Sequence, residues 1–394
     1  MVQKTRWGIV FLLICAGIIA AFQVGKAAIS VPDLREDLGI SLVFASWVVG
    51  ALGALGALIG IAAGLTLSLF PPRRTLIAGL TTLGFGSLLG SMTDSGTLLL
   101  ATRVIEGFGF VCTILSAPRI FALVTAPKHA QLAFAYWGAY MPTGSAIMIL
   151  AGPAFIGAFG WQGLWLFNGI LPLAYALLIA RLDIPAADIA HKSGRTLLGD
   201  LREGFRTSGP VLIGLSFGLY TFQYFALSSL FPTLLVERLG LSIAAAGLIS
   251  AGTVLANAVG NLAAGYFLRT GIPLWAILIG GFVTSGALSF GIFSDGVPLS
   301  VVAILAATSL AVTGLIPASL FAASPVVGTT PALLGITLGL TTQIGISGQL
   351  FGPTVLATFV ERYDWSYAPI LFVVVMIVGS SVAWLLGAVL RRRA

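Results

Sequence analysis

Apolar residues in this chain fall in long unbroken blocks, with brief polar breaks between them. Twelve such blocks stand out, at 7–31, 42–69, 75–92, 97–124, 131–158, 162–180, 210–232, 243–268, 274–293, 298–323, 332–359 and 366–390. A hydrocarbon layer about 30 Å thick is crossed by about 20 helical residues, so each block predicts one transmembrane helix. Strands of a membrane barrel would alternate apolar and polar positions, whereas these blocks are apolar all round and rich in Gly, Ala and Leu. Lys4 and Arg6 precede the first block in the manner of a secretory signal, but the block is too long and no small-x-small cleavage site follows, so an uncleaved first span is expected.

Composition agrees with the blocks. Of 394 residues 58% are hydrophobic and 8% charged, and mean hydropathy is +1.05, far outside the range of soluble globular chains. The few charges set an orientation. With twelve spans, Lys4, Arg6, Arg73, Arg74, Lys128, Arg181, Lys192, Arg195, Arg202, Arg206, Arg269 and Arg391 to Arg393 share one side, against Arg35, Arg238 and Arg362 on the other. Fourteen against three predicts cytoplasmic termini. The net charge of +7 is scattered over short loops with no soluble domain to carry a nucleic-acid face, so contact with anionic lipid is the expected use.

Two passages are near copies. "AFQVGKAAISVPDLREDLGIS" at 21–41 returns as "TFQYFALSSLFPTLLVERLGLS" at 221–242, and Gly64, Pro72, Gly79 and Gly152-Pro153 are answered by Gly265, Pro273, Gly280 and Gly352-Pro353. A near-constant offset of 200–201 divides the chain into an N-terminal six-helix bundle (1–180), a cytoplasmic linker (181–209) and a C-terminal six-helix bundle (210–394). Residues 196–206 of the linker are either a surface amphipathic helix or a solvated tether. Two parallel six-helix repeats are the arrangement of rocker-type secondary transporters, with the solute bound between halves near the midplane.

Subtracting the loops leaves Lys26, Arg103, Glu106 and Arg119 inside spans, where a charge is costly unless it faces a partner or water. Lys26 lies one turn from Gln23 on one helix face, and Gln223 occupies the matching repeat position without a charged neighbour. Lys26 either offers its ammonium to an anion beside the Gln23 amide or snorkels to the outer interface. Arg103 and Glu106, three apart, can pair on one face, as a proton-coupling carboxyl or as a fixed packing element. Arg119 is sixteen residues beyond Arg103, about 24 Å along the helix, so it belongs to the cytoplasmic half, receiving solute there or reaching inner headgroups. Tyr140, Tyr224, Asn257 and Gln343 complete the expected solute-binding set. Cys15 and Cys112 lie in spans and read as small apolar residues. His129 and His191 have no ligand-type partners at metal spacing, so neither a metal, nor a cofactor, nor a catalytic group is expected.

A family resemblance rests on particular residues. "RVIEGFG", with Arg103, Glu106, Gly107 and Gly109, resembles the fourth-span Arg-x-x-(Gln)-Gly-x-Gly motif of the major facilitator superfamily, and Gly160-Trp161 with Phe167 is similar to that family's start of the sixth span. Two motifs depart from the pattern: Ser68 stands at the acidic position of the loop after the second span with Pro71 replacing a Gly, and Met148 and Ile156 interrupt the antiporter pattern around Gly152, Pro153 and Gly157. "GKAAISVPDLREDLGIS", "APRIFALVTAP" and "WGAYMP" resemble the cyanate-permease and nitroimidazole-transporter-like group. The resemblance implies an all-α major facilitator fold whose first, fourth, seventh and tenth spans line the cavity. It implies a monomeric, proton-coupled transporter of a small anionic solute in a bacterial-type inner membrane, and no enzyme. Proton-driven efflux of drugs or other hydrophobic compounds is the alternative.

Overall fold

A computed structural model describes residues 4–58, 60, 70–185, 206–328 and 331–391. Every regular element in those residues is helical. In chain order they are α1 (Trp7–Ile29), α2 (Val31–Leu38), α3 (Leu42–Gly50), α4 (Pro72–Ser91), α5 (Gly96–Val124), α6 (Pro127–Gly138), α7 (Tyr140–Arg181), α8 (Ser208–Thr233), α9 (Ile243–Arg269), α10 (Leu274–Phe293), α11 (Leu299–Thr313), α12 (Leu315–Val327), α13 (Pro331–Tyr363) and α14 (Ala368–Arg391). Eight of the described helical runs are long and apolar enough to cross a bilayer. Helices are the outcome the solvent dictates, because lipid leaves each backbone N–H and C=O to find its partner within the segment.

Helix starts are set by local chemistry. Pro72 and Pro127 occupy first-turn positions where the missing N–H is no loss, and the Ser41 hydroxyl accepts from the Phe44 N–H at 3.1 Å to open α3. The blocks expected at 131–158 and 162–180 meet at Gly160, where the chain turns with φ 67° and ψ 176° between the two limbs of α7. The equivalent corner in the second copy is Asp364, at φ 84° and ψ 162°, and each corner is followed by a tryptophan, Trp161 or Trp365. Asp364 steadies its corner by accepting from the Ser366 N–H at 3.2 Å. Gly160 has only its lack of a Cβ. Gly160→Ala is therefore expected to destabilise by about 1–3 kcal/mol, read as a lower apparent melting temperature of the detergent-solubilised protein.

The chain packs into two compact units, Met1–Ala190 with Phe231–Ala251, and His191–Leu230 with Gly252–Ala394. The first gathers the N-terminal spans together with the end of the seventh span and the start of the eighth. Its apolar core at one end is built from Leu13 of α1, Leu76 and Leu80 of α4, Ile120 and Phe121 of α5 and Ile179 of α7. The second unit packs α10 against α14 and α11, with Phe282, Phe293 and Leu310 buried. The expected linker helix at 196–206 lies almost wholly outside the described residues, as does most of the loop motif at 64–74.

Candidate functional site

Three of the four charges inside the spans, Lys26, Arg103 and Glu106, converge. Gln23, Lys26, Arg103 and Glu106 all have no exposed surface. The Glu106 carboxylate holds two cations, accepting from Lys26 Nζ at 3.0 Å through Oε1 and from Arg103 Nη1 through Oε2. Helical geometry sets up the second contact, since residues 103 and 106 stand one turn apart on α5; the first needs α1 to cross α5 at the level of Lys26.

Each remaining donor is placed. Lys26 Nζ donates to Ser87 Oγ of α4 at 2.6 Å and lies 4.6 Å above the Trp165 ring of α7, a cation over an aromatic face. Ser87 Oγ in turn donates to the Trp165 carbonyl at 2.8 Å. Arg103 Nε donates to the Val48 carbonyl and Nη2 to the Gln23 carbonyl, both at 2.9 Å. The Gln23 amide donates to the Asn168 carbonyl at 3.1 Å, while Gln23 Oε1 and Asn168 Oδ1 are buried without a partner. Five helices thus contribute to one cluster carrying two bases and one acid, and it lies inside the first unit.

Sequence reasoning joined Arg103 to Glu106 and assigned Lys26 to a solute or to the interface. The structure brings both cations onto the Glu106 carboxylate and turns Lys26 inward. Arg119 lies elsewhere on α5, half-buried, with Nη2 donating to the Phe70 carbonyl at 3.1 Å. Tyr140 stacks on Trp137 at 4.4 Å between centroids, beside Gly17 of α1. Sequence reading missed Ser87, Trp165 and Asn168. No local signal marks Ser87 among the other small polar residues of Gly-rich helices.

In the second unit the counterpart region is neutral. Asn257 of α9 donates to the Leu310 carbonyl at 2.9 Å, and its Oδ1 accepts from the Tyr220 hydroxyl at 3.2 Å and from Asn261 Nδ2 at 3.1 Å. Tyr224 lies 5.8 Å from Tyr220, ring on ring. Both amide atoms of Gln223 are buried without a partner, as is Nε2 of Gln349. Gln343 is half-buried on α13. Among the described residues no group of His, Cys, Asp or Glu is arranged to hold a metal. Beyond the spans, burial raises the Asp33 carboxyl above the usual carboxylate range, with Asp37 and Glu36 adding to the effect.

Helices throughout the described residues, a repeat written into the sequence and charge buried inside apolar spans are the marks of a polytopic membrane protein. The chain matches the Major Facilitator Superfamily over residues 13–353 and belongs to that family. It is 26% identical to the methylenomycin A resistance protein of Bacillus subtilis (strain 168) over 209 residues, 52% of this chain and 44% of that one. It is 30% identical to a puromycin resistance protein of Streptomyces alboniger over 201 residues, 50% of this chain and 38% of that one. The chain thus spans less than half the length of these relatives. A crystal structure of a bacterial homolog to the human lysosomal transporter Spinster has the same fold, with TM-score 0.79 and 14% identity over 100% of this chain and 99% of that one.

Proposed function

We propose that this transporter moves a small anionic solute across a bacterial-type inner membrane by alternating access, coupled to protons. Its halves are residues 1–180 and 210–394, joined by a cytoplasmic linker at 181–209; it works as a monomer with both termini cytoplasmic. The small-anion reading is in keeping with its resemblance to the cyanate-permease-like group.

One observation carries the reading: Lys26 and Arg103 share the single carboxylate of Glu106 with no exposed surface on any of the three. Fully ionised, that cluster holds one uncompensated positive charge away from water, which is unfavourable. Either a proton leaves the cluster or an anion comes near it. An anion bound in the path favours the fully protonated cluster, and its release lets the proton go. That linkage moves the two together, in either direction. Gln23, Gln223, Tyr140, Tyr224, Asn257 and Gln343 supply neutral hydrogen-bonding groups to the solute, and Arg119 meets it on the cytoplasmic side.

The test is flux into proteoliposomes of purified protein, using labelled small carboxylates and inorganic anions with and without an imposed pH gradient. One anion of the panel is expected to accumulate under the gradient. Lys26→Met is expected to lower gradient-driven accumulation at least tenfold while anion exchange at equal pH persists. Accumulation by Lys26→Met at the unmodified rate removes the cluster from coupling.

The names of the relatives favour a second reading, proton-driven efflux of drugs or other hydrophobic compounds. Under it, puromycin or methyl viologen drives proton movement in the same liposomes and the anions do not.

A further inference from the structure

The two copies of the repeat differ in length in the short stretch between the Pro near the end of the first span and the Gly that follows it. Pro32 and Pro232 are 200 residues apart, whereas Gly39 and Gly240, or Ser41 and Ser242, are 201 apart, so the second copy carries one extra residue between its Pro and its Gly. The segment closes alike in both copies, on a left-handed glycine at φ 61° in the first and 67° in the second. The extra residue is absorbed between Pro232 and Gly240 as a π-helical turn, Leu234–Arg238, in which the Leu239 N–H reaches back to the Leu234 carbonyl at 3.3 Å. The first copy has no such turn: α1 stops at Ile29 and α2 resumes at Val31.

A residue inserted into a helix rotates every later position by about 100°, and a π turn confines that rotation to a few side chains. Here the side chain it re-aims is Glu237, which pairs with Arg35 of α2. Both side chains are about a third exposed, at 31% and 30%. Behind the pair, Phe231, Leu234 and Leu235 are fully buried. A few residues on, a Cβ at Gly247 would stand 2.8 Å from the Ile149 carbonyl and from Pro153. The segment Phe231–Ala251 accordingly packs in the same compact unit as the N-terminal spans, although by sequence it belongs to the second copy.

We propose that the inserted residue builds a latch. The π turn presents Glu237 to Arg35, the pair ties the end of the seventh span to the N-terminal spans on the face opposite the basic loops, and it parts whenever the path opens on that face. The inference rests on the alternating-access reading given above.

Double electron–electron resonance in lipid nanodiscs tests it without a solute. In a Cys15→Ala/Cys112→Ala background, one label pair is placed at Glu36→Cys and Ala244→Cys beside the latch, and a second at Lys128→Cys and Arg269→Cys on the basic-loop face. Arg35→Ala or Glu237→Ala is expected to raise the long-to-short population ratio of the first pair about fivefold, equivalent to about 1 kcal/mol. The charge swap Arg35→Glu/Glu237→Arg is expected to return it. Deleting Val236, which removes the inserted residue, is expected to act like Glu237→Ala. An unchanged ratio in Arg35→Ala and Glu237→Ala, with two distances still resolved for the second pair, overturns the latch and leaves alternating access standing. A single fixed distance at both pairs from pH 5 to pH 8, in every variant, overturns both.

Discussion

Glu106→Gln is expected to be the most damaging single substitution in the first unit, and Lys26→Met to be far milder. The difference comes from the groups each leaves behind. Glutamine at 106 strands two buried cations, Lys26 and Arg103, whose remaining partners are neutral: Ser87 Oγ, the Trp165 ring and the carbonyls of Val48 and Gln23. Breaking a buried ion pair by removing one partner typically destabilises by about 3–5 kcal/mol, because an uncompensated charge remains out of water. Methionine at 26 leaves the Arg103–Glu106 pair, which is neutral overall, and fills the space of the lysine stem with an apolar chain.

The triple variant Lys26→Met/Arg103→Met/Glu106→Gln removes every charge together. It is expected to recover most of the stability lost by Glu106→Gln, since exchanging a whole buried ion cluster for apolar groups is often neutral, yet to lose proton coupling. Apparent melting temperatures in detergent, read beside gradient-driven flux, separate the two effects. If Glu106→Gln melts within a degree or two of the unmodified protein, the carboxylate is not what neutralises this cluster.

How much of this was legible in the sequence depends on range. The blocks gave the helices because lipid enforces a single solution on an apolar run, whereas the paired corners at Gly160 and Asp364 stand 204 residues apart, outside the 200–201 offset of the repeat, and emerge only from the backbone. Arg103 and Glu106 could be joined from spacing alone because three residues make one turn. Lys26 could not be added to them, since its partner is 80 residues away and the crossing of α1 with α5 is a tertiary fact. The π turn sat in plain view as a shift of offset from 200 to 201. What the offset alone did not reveal is that the extra residue is absorbed locally, which is why the flanking Pro and Gly keep their places.

The second large effect concerns a neutral part of the molecule, where two helices touch backbone to backbone. A Cβ on Gly260 of α9 would fall inside the Ala311 carbonyl oxygen, and a Cβ on Gly314, between α11 and α12, would fall against the Asn257 carbonyl. The two contacts are reciprocal, so a side chain at either glycine forces the same crossing apart. Small residues at such crossings are what permits close packing in a bilayer, where no hydrophobic drive holds helices together. Separation also stretches the 2.9 Å bond from Asn257 to the Leu310 carbonyl, and with it the support of the Tyr220 hydroxyl. Gly260→Ala and Gly314→Ala are each expected to destabilise by about 1–3 kcal/mol. Their combination is expected to cost less than the sum, since the first has already opened the gap the second needs. Gly252, on the same helix, has nothing within 4 Å of its would-be Cβ. There alanine is expected to be neutral or to stabilise by up to about 1 kcal/mol through helix propensity alone. Thermal melts of the three single variants and the double variant decide the matter: equal effects at 252 and 260 would mean that the crossing is looser than Gly260 and Ala311 make it.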